Sequence, residues 1–247
     1  MNTDLTRLVW RGKVWIILPS ANTVTEPTFY ALSPQGVAFY TSRTFITGTA
    51  IEDVLAMEKD KDMAVKELAS TKPYCIVDAC TASGIVRGLK ADQAFSEDVE
   101  KKTSVRTTST LRLILHALRT LKINRLVITS PYPEAMDKLE ESFFQENGFS
   151  ILRIRGLNLS EATKLAQVTP DEIYRFCLET WDDRANGLLI SCMNFNHMPV
   201  IQALEDSLKV PVVTSNTATL WGILRLLGVT EPIQGYGKLL SDYMKCP

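Results

Sequence analysis

A chain of 247 residues, 45% apolar and 22% charged, has the length for one large or two modest domains around a buried core. Its formal net charge of −1 excludes the strongly basic surface that nucleic-acid and membrane-surface partners require. No apolar run approaches the roughly 18 residues that cross a bilayer, and Met1 to Arg11 lacks an apolar leader with a cleavage site, so a cytoplasmic location is expected.

In chain order, Val14 to Leu18 reads as a buried strand ended by Pro19-Ser20-Ala21-Asn22-Thr23, with a helix opening near Thr25-Glu26-Pro27. Val37 to Thr41 reads as a second strand. Ile51 to Ser70 sets Val54, Leu55, Ala64, Val65 and Leu68 among charges, the pattern of one amphipathic helix. Tyr74 to Ala79 is a third strand that runs into Cys80-Thr81-Ala82-Ser83-Gly84. Lys90 to Arg106 is polar and predicts a short helix within it. Ser109 to Leu121 carries Leu111, Ile114, Leu115 and Leu118 on one helical stripe.

The second half repeats the alternation. Arg125 to Thr129 is a strand closed by Ser130-Pro131-Tyr132-Pro133, Glu134 to Gly148 a helix stopped by glycine, and Phe149 to Ile154 a strand. Asp171 to Trp181 is a helix, and Leu188 to Ser191 a strand running into Cys192-Met193-Asn194. Met198 to Leu208 is a helix, Val210 to Val213 a strand, and Ala218 to Leu227 a helix closed by Gly228. Strands alternating with helices predict an α/β fold with mostly parallel sheets.

The halves also align with each other. Pro131 lies 112 residues after Pro19, Arg155 lies 112 after Arg43, and Cys192 lies 112 after Cys80. Beyond the cysteines the offset is expected to slip by three, matching Thr108-Ser109-Thr110-Leu111 to Thr217-Ala218-Thr219-Leu220. The expectation is two pseudo-symmetric lobes, residues 1–106 with 216–247 and residues 107–215, each a mostly parallel sheet flanked by helices. The active site would lie in the cleft between them, at the strands' carboxyl ends.

Five cysteines, at 75, 80, 177, 192 and 246, make an odd set without a pairing pattern, which suits a reducing compartment better than a disulfide scaffold. Without a Cys-x-x-Cys, and with His116 far from His197, no metal site is expected. No P-loop or Gly-x-Gly-x-x-Gly occurs, so no nucleotide cofactor is expected. Strand-end positions point to Cys80 and Cys192 as the catalytic pair, while Cys75 and Cys177 fall inside apolar patterns and Cys246 in the tail. A free thiol titrates near about 8.5, and helix amino termini lower that value. The surrounding strand-end residues are neutral, which suits a small carboxylate held by amides, hydroxyls and backbone N–H groups.

Pro19-Ser20-Ala21-Asn22-Thr23, Ala79-Cys80-Thr81, Ser130-Pro131-Tyr132, Ser191-Cys192 and Ser215-Asn216-Thr217-Ala218 leading to Trp221 together resemble the aspartate/glutamate racemase superfamily. Within it they are similar to the maleate cis-trans isomerase and arylmalonate decarboxylase branch. The resemblance implies a cofactor-independent enzyme with a small dicarboxylate substrate and no nucleic-acid or membrane partner; any homo-oligomer rests on the same analogy. It implies that Cys80 adds to the alkene to give a succinyl-thioether and that Cys192 donates and accepts the proton. Asn22, Tyr132 and Asn158 fall where that family binds the two carboxylates, with Ser20, Thr81, Ala82 and Met193 beside them. Decarboxylases of the branch have glycine at the first cysteine position, so the pair here matches the isomerases and racemases.

Blander roles compete at several positions. Asn22 can serve as a helix cap, Asn158 as part of an ordinary turn, and His197 as a helix-start residue at the rim. Arg43 and Arg155 read as salt-bridge partners at the lobe interface, and His116 as the edge of an apolar stripe. Rival functions are a two-cysteine amino-acid or hydantoin racemase, an arylmalonate-type decarboxylase, and a carboxylate-binding or redox-sensing protein without turnover.

Overall fold

The computed structural model describes residues 9–70 and 72–245, without the side chains of Leu68 and Ala69. Cys246 and the first eight residues, both read above from sequence, lie outside the described residues. Along the chain run β1 (Gly12–Pro19), α1 (Thr25–Leu32), β2 (Val37–Thr44), α2 (Ile51–Glu58), α3 (Lys61–Ala69), β3 (Cys75–Asp78), α4 (Thr81–Thr103), β4 (Arg106–Ser109) and α5 (Thr110–Thr120). The second half contains β5 (Arg125–Ser130), α6 (Glu134–Glu146), β6 (Ser150–Gly156), α7 (Pro170–Thr180), β7 (Gly187–Ile190), α8 (Ile201–Leu208), β8 (Val212–Thr214), α9 (Ser215–Leu226) and α10 (Lys238–Asp242). Short 3-10 turns occupy Ala162–Gln167 and Met198–Val200.

The strands form two four-stranded sheets, ordered β2-β1-β3-β4 and β6-β5-β7-β8, and every pairing within them is parallel. Val14, Trp15, Ile16, Ile17 and Leu18 are all at most 1% exposed, because helices cover both faces of a parallel sheet. The same order in both sheets realises the expected pair of α/β lobes. No helix among the described residues is long and apolar enough to cross a membrane.

Three expectations change. The helix read over 51–70 is two helices broken at Lys59 and Asp60, and the break lets Lys61 turn inward to meet Asp78. The stretch 90–106, read as holding a short helix, is mostly α4, which starts at Thr81, bends where Gly88 takes a φ of 73° and runs to Thr103 before β4 begins at Arg106. Its polar residues Asp92 and Ser96 are buried, so polarity there marks an interior network rather than a loop. The slip in the internal repeat is seven residues rather than three. Asp78 pairs with Ser109 in one sheet and Ile190 with Thr214 in the other, so the equivalent helix caps stand 105 apart. A helical pattern survives displacement by one turn, which is why the sequence match landed four residues late. Ser109 Oγ accepts from Arg112 N–H at 3.2 Å, and Thr214 Oγ1 from Thr217 N–H at 3.0 Å, as N-caps do. Thr110 and Thr219 still meet, their hydroxyls 2.8 Å apart between α5 and α9.

Candidate functional site

In the first half, β1 ends at Pro19 and the chain turns through Ser20 to Asn22. Asn22 Oδ1 accepts from the N–H groups of Val24 and Thr25, and its Nδ2 donates to Thr25 Oγ1 at 3.0 Å. The capping role anticipated for Asn22 is therefore filled while the same residue faces the cleft. Arg43 donates to the carbonyls of Ser20 at 2.9 Å and Asn22 at 2.8 Å and pairs with Glu26. Both arginines expected at the lobe interface act within their own halves instead, Arg155 pairing with Glu179 at 3.4 Å. Each extends from an edge strand toward a helix of its own sheet, which explains the difference.

Beyond β3, Cys80 is the N-cap of α4. Thr81 and Ala82 open the helix with N–H groups that have no intrahelical acceptor. Gly84 lets this first turn lie close against α5, since a Cβ there would meet Leu111 at 2.7 Å.

The second cysteine is held differently. Ser191 N–H closes on Thr129 O at 2.8 Å, and Cys192 then takes a φ of 89° before a tight turn. Asn194 N–H reaches Cys192 Sγ at 3.4 Å. Its side chain accepts from Thr23 N–H and donates to Ala21 O, lashing the turn to the other half, and donates to Ala162 O within its own. His197 is fully buried rather than at the rim. The turn folds it beneath Cys192, its Nε2 3.3 Å from the Cys192 carbonyl oxygen.

Both sulfurs line one cavity, of about 470 Å³ with its mouth. Asn22, Thr81, Ala82, Tyr132 and Met193 line it with them, and none of the lining residues is charged. Two candidates lie outside the lining. Ser20 is engaged with Ile46, accepting from its N–H at 3.0 Å, and Asn158 is exposed at a φ of 56° with its N–H on Tyr132 O. Ile46, Val54, Ala162 and Leu165 form an apolar wall that the sequence reading missed. That wall exists because the halves join over the cleft: Ala162 N–H donates to Thr47 O at 2.9 Å, Thr49 N–H to Ser160 O at 3.1 Å.

Burial dominates the electrostatics. It pushes the Cys80 thiol up to about 11, against the opposing pull of Lys61 and of the Ser83 N–H on the sulfur. The helix amino terminus, expected to lower the thiol, opposes burial here without overcoming it. Cys192 is pushed up to about 12 by burial, with Tyr132 and the Asn194 N–H drawing it down. Glu140 is fully buried within electrostatic reach of both Tyr132 and Cys192, and burial raises it to about 8. Cys75 and Cys177, each raised to about 12 by burial, lie outside the cavity that Cys80 and Cys192 share.

Burial also holds His197 neutral, with a pKa of about 3. The unfolded chain binds a proton that the folded chain refuses, so this contribution is complete above the ordinary value of about 6.5 and lost as pH falls toward 3. Moving from pH 7 to 5 is expected to cost about 2 kcal/mol through this residue. Urea unfolding of His197→Gln should show a correspondingly shallower loss; an unchanged slope would contradict the assignment.

A buried ion network lies behind Cys80. Lys61, 2% exposed, donates to Asp78 at 2.7 Å and Ser83 Oγ at 2.5 Å, and pairs with Glu58 at 2.7 Å. Arg87 joins Glu58, Asp78 and Asp92, and Asp92 accepts from Ser109 Oγ at 2.5 Å. Burial alone would raise Asp78, but the two cations hold it below the usual carboxylate range. The network fixes Ser83, whose N–H contacts the Cys80 sulfur.

A model of the arylmalonate decarboxylase family matches residues 16–240 of this chain. Maleate isomerase of Nocardia farcinica is 23% identical over 240 residues, covering 93% of this chain and 96% of that protein. Arylmalonate decarboxylase of Bordetella bronchiseptica is 24% identical over 165 residues, 66% of this chain and 69% of its own length. Among solved structures, the Nocardia farcinica maleate cis-trans isomerase, as a cysteine-to-serine variant with a covalently bound succinylcysteine intermediate, superposes with a TM-score of 0.88. That pair is 21% identical and covers 93% of this chain and 98% of the other.

Proposed function

The chain belongs to the arylmalonate decarboxylase family, and from that premise we propose that it is a cofactor-independent cis-trans isomerase of a small unsaturated dicarboxylate of the maleate type. The observation that carries this is the meeting of Cys80 and Cys192, from equivalent strand ends of the two sheets, in one uncharged cavity. In this reading the lobes are residues 1–109 with 216–247 and residues 110–215, since Arg106–Ser109 pair with β3 and carry the first sheet past the boundary expected at 106. The enzyme is cytoplasmic, acts on a free small acid, and assembles as a homo-oligomer.

The thiolate of Cys80, stabilised by the Ser83 N–H and by Lys61, forms a bond to one alkene carbon. The Cys192 thiol protonates the neighbouring carbon, so the former double bond becomes a single bond free to rotate. After rotation the Cys192 thiolate takes that proton back and the bond to Cys80 breaks, releasing the trans alkene. No electrons are gained or lost. One carboxylate is met by Asn22 and the N–H groups of Thr81 and Ala82, the other by Tyr132 and the backbone of Met193. Ser20 and Asn158 frame the site from outside.

Proton NMR of purified protein with maleate is expected to show fumarate accumulating. Cys192→Ser should slow turnover by about 10²- to 10⁴-fold, the scale of losing a positioned acid–base group, and retain a protein adduct heavier by one substrate molecule. No fumarate at any enzyme level would remove this substrate.

The wall of Ile46, Val54, Ala162 and Leu165 favours a second reading, arylmalonate-type decarboxylation with an apolar substituent against it. Cys80 would have no task in that reaction. Loss of carbon dioxide from phenylmalonate that survives Cys80→Ala would select it.

A further inference from the structure

The largest cavity described lies at the opposite end of the first sheet from the cysteines. About 1100 Å³ with its mouth, it opens where β3 and β4 begin, at Cys75 and Arg106, and is walled by α5 and α9. Arg106, Arg112, Arg225 and His116 line it, against a single carboxylate, Glu100, whose Oε1 already accepts from Thr107 N–H at 2.7 Å. In a chain of net charge −1 this is a local excess and not a reflection of general basicity. Two of the lining side chains are also held in place. The Arg225 guanidinium sits 4.8 Å over the Trp221 ring, and His116 meets the same ring edge-on at 4.9 Å. Neither Arg106 nor Arg112 forms an ion pair with a carboxylate among the described residues.

We propose that this cavity is a binding site for a small polyanion carrying two or more oxyanion groups, phosphates or carboxylates. Guanidinium forks match both groups in pairs of parallel hydrogen bonds. With its mouth the cavity is large enough for a metabolite-sized anion. Thr107 and Thr108 supply further polar contacts, and Leu113, Gly222 and Leu226 an apolar floor. His116 reports on the site: burial, then Arg225 and Arg119, hold it below its ordinary value, so an anion among these cations must raise it.

Inorganic pyrophosphate and citrate, titrated separately into the full-length protein by calorimetry, distinguish the two sources of charge. At least one is expected to bind at one equivalent, weaken by about tenfold or more in Arg112→Gln, and keep its affinity in Arg184→Gln, a surface arginine elsewhere. The His116 ring resonances should shift on binding and titrate at higher pH. Absence of binding by both probes at millimolar concentration would overturn the proposal, as would binding indifferent to Arg112→Gln. So would binding that Arg184→Gln weakens equally, the mark of diffuse attraction. None of these readouts depends on chemistry at Cys80.

Discussion

Cys80→Ala is expected to lose maleate turnover by roughly 10⁴-fold or more, the scale of removing a nucleophile that bonds to substrate. The side chain is 8% exposed and shares its cavity with Cys192, so truncation removes the reacting atom with little change in packing. Stability should change by no more than about 1 kcal/mol, as for loss of one small buried group. Steady-state rates by NMR alongside a urea unfolding curve measure both quantities. A variant that folds normally yet keeps a tenth or more of the wild-type rate would sink the covalent mechanism. One that no longer turns over maleate but still binds it would support it.

Lys61→Met is expected to be the most damaging substitution away from the cavity lining. It leaves buried Asp78 and half-buried Glu58 with only Arg87 to offset them, and breaking a buried ion pair costs about 3–5 kcal/mol. For a chain of this size that corresponds to roughly 6–20 °C in Tm. The double variant Lys61→Met with Asp78→Asn should recover part of the loss, because the uncompensated charge is then gone. Lys61 is also the leading influence opposing burial at the Cys80 sulfur. Iodoacetamide labelling of Cys80 should therefore shift to higher pH in Lys61→Met and return in Lys61→Arg. An unshifted labelling profile would confine Lys61 to a structural role.

The architecture was legible because its signals are local. Five consecutive apolar residues from Val14 to Leu18, rich in β-branched side chains and closed by Pro19, read as a strand covered on both faces, and the spacing of 112 ties Cys80 to Cys192. Lys61 was not legible. A lysine between charged neighbours on a helical pattern reads as solvated, and only the break at Lys59 and Asp60 turns it inward. The apolar wall was hidden for another reason. Ala162 and Leu165 reach the cleft through backbone bonds to residues over a hundred positions earlier, and such pairings leave no mark on either segment. The repeat misled at α5 and α9 because one-turn shifts preserve a helical face. His197 was misplaced because the tight turn after Cys192 inverts the direction that a simple helix start would give it.

The two cysteines do not stand on equal footing. Cys80 rests at a φ of −139°, where any side chain is comfortable, while Cys192 is held at 89°, a region that favours glycine. Replacing Cys192 by glycine would relieve the main chain and remove the thiol together, a coincidence that does not arise at Cys80. On the proposed role of Cys192, this bend gives up conformational ease to place a thiol in the cavity.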